Sequence, residues 1–281
     1  MKVLVTGATG TFGRLIIKRL LVLGHQVIAT SRNNQKAKEL DFYNDVTYVQ
    51  YDINSDQSIN LFELFHRPDT VIHLAWDKLN DYKNMDHLNL ILEKHKAFVF
   101  NLISNGLKDF NGIGTCYEYG LVEGELNENL PCEPILPYPQ AKLALMEYII
   151  SLTNTYSFNF KWIRIFYVFG EIYERKNLYT QLMLAISNKE KVFNMSGGEQ
   201  IRDFLSPLEI GNDIIKISTQ NKVLGIINCC SGKPVKLKDF ISDFLIKNNY
   251  SIDLNLGYYP YVDFEPMNTW GSIEKKLLCY S

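Results

Sequence analysis

The chain has 281 residues, with 29 Lys and Arg against 31 Asp and Glu, a formal charge of -2 and 46% hydrophobic residues. This composition excludes a disordered chain, and it offers no basic field to hold a phosphate backbone, so nucleic acid is excluded as a partner. No apolar run approaches the ~20 residues that span a bilayer, which excludes a membrane protein.

The start Met1-Lys2-Val3-Leu4-Val5 reaches a glycine turn too early for a signal peptide, so a cytoplasmic protein is expected. Five cysteines (Cys116, Cys132, Cys229, Cys230, Cys279) show no C-x-x-C spacing, which argues for buried free thiols and against a disulfide framework or a metal site.

In chain order, Val3–Val5 reads as a buried strand, Phe12–Leu23 as a helix and Gln26–Thr30 as a second strand after the Gly24-His25 stop. Further strands are predicted at Val46–Tyr51, Thr70–Leu74, Phe110–Gly114 and Trp162–Phe166, with long helices over Asn84–Asn105 and Tyr138–Tyr156. That alternation predicts an α/β fold with a doubly wound parallel sheet. After Gly170 the pattern changes to loops, short strands such as Gly225–Asn228 and short helices such as Lys236–Lys247, which suggests a smaller C-terminal lobe. Residues 1–170 are expected to form the dinucleotide-binding domain, and 171–281 mainly a substrate-binding lobe that shares segments with it.

Thr6-Gly7-Ala8-Thr9-Gly10-Thr11-Phe12-Gly13 follows the first strand and opens the first helix. Gly7 permits the tight turn, Gly10 lets backbone amides approach a pyrophosphate, and Gly13 allows close helix packing, while the helix N-terminus attracts the anion. A Rossmann-like dinucleotide site is therefore expected, with Gly7, Thr9, Gly10, Thr11, Phe12 and Gly13 against the cofactor. At the end of the second strand, where a carboxylate would receive the ribose of NAD, the chain reads Ala29-Thr30-Ser31-Arg32-Asn33. Ser31 and Arg32 suit a 2′-phosphate, so NADP is favoured, with NAD as the alternative. Asp52 and Ile53 are placed at the adenine, and Leu74, Ala75 and Trp76 along the cofactor's middle section.

Tyr138-Pro139-Gln140-Ala141-Lys142 puts a phenol and an ammonium at i and i+4 on one helix face. The ammonium stabilises the phenolate, which makes Tyr138 a usable proton donor or acceptor near neutral pH. Thr115 ends a predicted strand, where open α/β sheets hold their ligands, and its hydroxyl suits a substrate carbonyl oxygen.

In these residues, together with His73-Leu74-Ala75, Tyr119-Gly120, Arg164 to Gly170 and Gly198-Glu199-Gln200-Ile201-Arg202-Asp203-Phe204, the chain resembles the extended short-chain dehydrogenase/reductase family in its nucleotide-sugar epimerase/dehydratase branch. The resemblance spans almost the whole length. It implies that Tyr138 is the general acid/base, that Lys142 holds the nicotinamide ribose, that Thr115 positions the sugar oxygen and that Arg202 contacts the diphosphate of a nucleotide sugar. Without it, Arg202 and Asp203 read as a surface ion pair. Dehydratases of the family carry an Asp-Glu pair after the threonine; here stand Cys116 and Tyr117, which disfavours dehydration.

Phe166 to Gly170, Tyr258-Tyr259-Pro260-Tyr261, Glu265-Pro266-Met267 and Trp270-Gly271 are similar to bacterial reductases of nucleotide-linked 4-keto-6-deoxy sugars. This likeness implies NADPH-dependent reduction at C4 and substrate contacts at Tyr167, Arg175 and Asn177, the last two in a loop over the sugar nucleotide. A nucleotide-sugar epimerase with tightly bound NAD, or a non-enzymatic NADP-binding protein, remain the alternatives. The resemblance also implies a homodimer through the two long helices. It further implies a C-terminal lobe shortened at Lys275–Ser281, before the terminal helix that relatives carry.

Overall fold

The architecture, taken from a computed structural model, is described for residues 1–55, 58–172 and 177–280. Seven strands form one parallel sheet: β1 (Lys2–Thr6), β2 (Gln26–Ser31), β3 (Thr47–Gln50), β4 (Thr70–His73), β5 (Asp109–Thr115), β6 (Asn159–Ile165) and β7 (Gly225–Cys229), in the order β3-β2-β1-β4-β5-β6-β7. Val5 registers with Ala29 on one side and Ile72 on the other, so the strand order reverses between β1 and β4, and a crevice opens there at the carboxyl ends. The doubly wound parallel sheet agrees with the fold read from the sequence.

Val3, Leu4 and Val5 are fully buried, as expected of a parallel strand covered on both faces. Alternation along the strand sends them to opposite sides. Leu4 joins Phe98, Val99, Leu102, Leu145 and Ile149 of the helices Leu92–Ser104 and Pro137–Leu152. Val3 and Val5 join Ile16, Ile17 and Leu20 of the helix Thr11–Val22, and Ile210 and Ile214 of the helix Pro207–Ser218.

Several boundaries differ from the sequence reading for identifiable reasons. The first helix ends at Val22, and Gly24 with φ +78° closes it. The predicted helix Asn84–Asn105 is regular only from Leu92, because a π-turn over His87–Ile91 widens its start. There His87 is buried, joined to Trp76 Nε1 at 3.1 Å and to the carbonyl of Asp81 at 3.0 Å, which draws that turn away from α geometry. The helix predicted to reach Tyr156 stops at Leu152, where the Thr153 hydroxyl donates back to the carbonyl of Ile150 at 2.7 Å. β6 starts earlier than expected, at Asn159, because Phe160 pairs with Phe110 in the sheet.

Gly225–Asn228 stands in β7, at the edge of the main sheet beside β6. A separate apolar cluster gathers Leu182, Phe193, Leu237, Ile241 and Leu245 from the helices Leu178–Ser187 and Leu237–Lys247 and the strand Val192–Asn194, with Met195 just after that strand. Asp203, fully buried, ties together the loop after β7 and the strand Thr269–Gly271 by accepting from the amides of Ser231 (2.7 Å), Gly232 (2.8 Å) and Gly271 (3.2 Å).

Candidate active site

The glycine turn forms the floor of an open cleft of about 370 Å³ above the carboxyl ends of β1, β2 and β4. Gly7 has φ +69°, and a Cβ there would meet the amide of Ala75 at 3.0 Å; at Gly13 it would stand 2.3 Å from the carbonyl of Gly7. The turn is thus a cradle only glycines can make, open to a pyrophosphate at the start of the helix Thr11–Val22. Thr9, Gly10, Thr11, Phe12, Ser31, Arg32, Asp52, Ile53, Leu74, Ala75 and Trp76 line the same cleft, so the residues expected at the cofactor, Tyr138 and Lys142 excepted, come together there.

Their side chains are more engaged than the sequence suggests. Ser31 Oγ lies 2.9 Å from the Tyr48 phenol, Asp52 accepts from the amide of Asn54 at 3.0 Å, and Arg32 pairs with Asp77 at 2.8 Å.

At the inner end of the cleft stand Trp76 and His95. Behind them a hydrogen-bonded chain runs from the Ala75 amide to Thr6 Oγ1 (3.1 Å), to His73 Nδ1 (3.0 Å), and from His73 Nε2 to His95 Nδ1 (2.8 Å). Burial, with the Lys142 charge nearby, pulls His73 down to about 3; burial and the neighbouring His73 also hold His95 well below its ordinary value. Both rings are therefore neutral at physiological pH.

Tyr138 and Lys142 stand on one face of the helix Pro137–Leu152, which opens with two prolines in its first turn. Lys142 is 2% exposed, and its ammonium lies 3.9 Å from the Trp76 ring centroid, a cation–π contact in a dry setting. Burial pulls Lys142 down to about 7, opposed by the charge of Glu118. The Tyr138 ring stacks on Tyr82 at 4.7 Å and meets the edge of Trp76 at 6.2 Å. Neither Tyr138 nor Lys142 lines the outer cleft; Trp76 stands between them and it.

Thr115 ends β5 with φ -144° and caps the short turn Cys116–Tyr119 by accepting from the Tyr117 amide at 3.3 Å, which leaves its hydroxyl proton for a further acceptor. Glu118 returns to hold the Thr115 amide at 2.9 Å and also takes Arg164 Nε at 2.7 Å and Trp162 Nε1 at 3.1 Å. Burial raises the Glu118 carboxyl while Arg164 pulls it back.

Next to Thr115, neither Cys116 nor Tyr117 is an acid at neutral pH, since burial raises both. The Tyr117 phenol donates to Glu265 at 2.9 Å, and that carboxylate also accepts from Tyr167 at 3.2 Å and Arg202 at 3.0 Å. A row of rings, Tyr138–Tyr82–Tyr117–Tyr167, thus joins the Tyr–Lys pair to this polar cluster.

Arg202 also donates to the carbonyls of Ile201 (2.9 Å) and Met267 (3.1 Å), so it forms no pair with Asp203 and is deeply engaged in the protein. Asn177 caps the helix Leu178–Ser187, accepting from the Thr180 amide at 2.7 Å and donating to the carbonyl of Gly170 at 3.0 Å. Arg175 lies outside the described residues.

Four contributors went unread in the sequence: Asp77, Tyr82, His95 and Glu265 as a hub. Asp77 follows Leu74-Ala75-Trp76 directly, so a carboxylate on that loop was visible; His95 sits at an ordinary helical core position and gave no signal. All five cysteines are free, four of them buried. Among the described residues no group of His, Cys, Asp and Glu is arranged to hold a metal, and no helix is long and apolar enough to cross a membrane.

Comparison with known proteins places these features in a lineage. The chain is 29% identical over 283 residues to dTDP-6-deoxy-L-talose 4-dehydrogenase (NAD(+)) of Aggregatibacter actinomycetemcomitans, covering 97% of this chain and 100% of that protein. It is 28% identical over 156 residues, 53% of this chain and 46% of the other, to dTDP-6-deoxy-L-talose 4-dehydrogenase (NAD(P)(+)) of Kitasatospora kifunensis. The solved structure of UDP-N-acetylglucosamine 4-epimerase from Methanobrevibacter ruminantium M1, in complex with UDP-N-acetylmuramic acid, superposes with a TM-score of 0.86 at 22% identity, covering 100% of this chain and 92% of that one, and so shares the fold. Since the NAD dependent epimerase/dehydratase family matches residues 3–230, a stretch that carries the glycine cradle, Thr115 and the Tyr138–Lys142 pair, the chain belongs to that family.

Proposed function

We propose that the protein is an NADPH-dependent reductase of the 4-keto group of a nucleotide-diphospho-4-keto-6-deoxyhexose, supplying an activated deoxy sugar for bacterial surface polysaccharide. The observation that carries this reading is the Tyr138–Lys142 pair on one helix face, linked by a stacked and an edge-to-face ring contact to the Thr115 turn, where Cys116 and Tyr117 stand in place of the acids dehydration needs. The relative matched along its whole length, a dTDP-6-deoxy-L-talose 4-dehydrogenase, supports the substrate class.

The glycine cradle, Ile53 and Leu74-Ala75 would hold NADP, with its 2′-phosphate meeting Arg32 once the Arg32–Asp77 pair opens. When bound, the nicotinamide supplies the hydride for C4. Tyr138 then gives its phenolic proton to the C4 oxygen, and Lys142 stabilises the phenolate left behind. An anion entering the site raises the Lys142 pKa above about 7 and so secures its charge. Thr115, anchored by Glu118, donates to the same oxygen. Trp76, backed by His95, shields the pair from water. In the same reading, residues 171–281 form mainly the substrate lobe, with Tyr167, Asn177 and Arg202 on the sugar-nucleotide side. The enzyme works in the cytoplasm as a homodimer.

The test is oxidation of NADPH, and separately NADH, with dTDP-, GDP- and CDP-4-keto-6-deoxyglucose. Turnover with one of them is expected, and Tyr138→Phe should lower it by about 100-fold or more while cofactor affinity stays within about twofold. Full turnover in that variant would remove Tyr138 from the mechanism. No oxidation with any of the three, together with NAD retained through purification, would favour an epimerase.

A further inference from the structure

Three loops meet at the outer end of the cleft. Arg32 follows β2, Asn54 follows β3 and Asp77 follows β4, and all three line the cavity. Arg32 Nη1 lies 2.8 Å from Asp77 Oδ1, and Asn54 Nδ2 donates to Asp77 Oδ2 at 2.7 Å. The Asp77 side chain is 28% exposed and that of Arg32 62%, so the pair sits at the rim, with the carboxylate on the more enclosed side.

At the end of β2 itself, Ser31 is neutral, and its hydroxyl is taken up by Tyr48. The carboxylate that a 2′-hydroxyl needs is therefore absent from the strand, yet one stands across the cleft, held by the same arginine a 2′-phosphate would use.

We propose that Asp77 is a specificity-determining residue for the dinucleotide, supplying from the loop after β4 the ribose-facing carboxylate that β2 lacks and holding Arg32 away from a 2′-phosphate. This inference rests on the reading of the cleft as an NAD(P) site. A 2′-hydroxyl meets an acceptor that leaves the Arg32–Asp77 pair intact. A 2′-phosphate, carrying about -1.5 to -2 charges, gains Arg32 only by breaking that pair, and it does so beside a like charge. Because a rim pair in water is weak, the barrier to NADP is small and the protein takes both cofactors. Asp77 sets the ratio between them.

The experiment is calorimetric titration of the purified, substrate-free protein with NADP and NAD at low salt. Dissociation constants within about tenfold of each other are expected. Asp77→Asn should tighten NADP by roughly tenfold and weaken NAD severalfold, and the NADP gain should shrink in 0.5 M salt as screening removes the charge terms. In an Arg32→Gln background the part of the NADP gain that comes from freeing Arg32 should be lost, leaving only the relief of like-charge repulsion, because the two residues act as one unit. This second variant also guards against a folding defect peculiar to either one. If both dinucleotides bind and Asp77→Asn leaves their ratio within twofold, the role of Asp77 is overturned while the cofactor site stands. If neither binds the unaltered protein, the cofactor reading itself falls.

Discussion

At the scale of single residues, the most unusual feature is how much charge chemistry is kept dry around Trp76. His73 and His95 fold into the interior as neutral rings, whereas in the unfolded chain each titrates near ~6.5. Above that pH both states are neutral and the histidines are indifferent to folding. Below it the unfolded chain binds protons that folded His73 refuses until about pH 3, so stability is lost progressively as pH falls from ~6.5 toward 3. Each histidine adds a slope of about 1.4 kcal/mol per pH unit. Urea midpoints between pH 7 and 5 should therefore drop in the unaltered protein, and His73→Asn should flatten that slope relative to its own value at pH 7. A parallel pair of curves would show that the buried histidines are protonated in the fold.

What was legible here was local. The glycine cradle and the Tyr138–Lys142 spacing lie within eight residues or fewer of chain, and the structure keeps both as read. Asp77 meeting Arg32, or His73 meeting His95, depends on strand order and loop approach, and no short window records that.

At the scale of elements, the turn Cys116–Tyr119 does more than end β5. Glu118 closes a capping box on Thr115 and at the same time neutralises Arg164 of β6, both side chains being essentially out of solvent. Removing one member of such a pair leaves an uncompensated charge in the interior, at about 3–5 kcal/mol. Glu118→Gln should therefore lower the unfolding free energy by that amount, read from denaturant curves at pH 7, and should loosen Thr115. A loss under about 1 kcal/mol would mean that Arg164 finds another partner.

The π-turn at His87–Ile91 is the counterpart on the other wall. Its sequence carries ordinary helical periodicity, and only the ties from His87 to Trp76 and Asp81 reveal why the helix starts late. Asp203 shows the same limit: taken without the family resemblance it reads as half of a surface ion pair, yet it is a fully buried carboxylate fed by three backbone amides. Its partners arrive from 28, 29 and 68 residues away.

At the scale of the whole molecule, the helices Leu92–Ser104 and Pro137–Leu152 pack side by side, and Leu90, Phe100 and Ile150 on or beside them remain exposed. These exposed side chains fit the homodimer proposed above, in which two copies pair these helices into a four-helix bundle. Sedimentation equilibrium should give twice the chain mass, and Ile150→Asp should shift it toward the monomer; a monomer in the unaltered protein would refute the pairing. The strand order has a further consequence, for the chain as it is made. The helix Pro207–Ser218 covers Ile16 and Ile17 of the first helix, and β7 completes the sheet beside β6, so both covers emerge long after the parts they protect. A nascent polypeptide extended to residue 200 shows an apolar stripe and an open sheet edge for the roughly 2–6 s that translation takes, at about 5–20 residues per second, to add the next ~30 residues. During that interval the growing protein is open to sticking to its neighbours on a polysome, and a chaperone at the ribosome has this surface to shield.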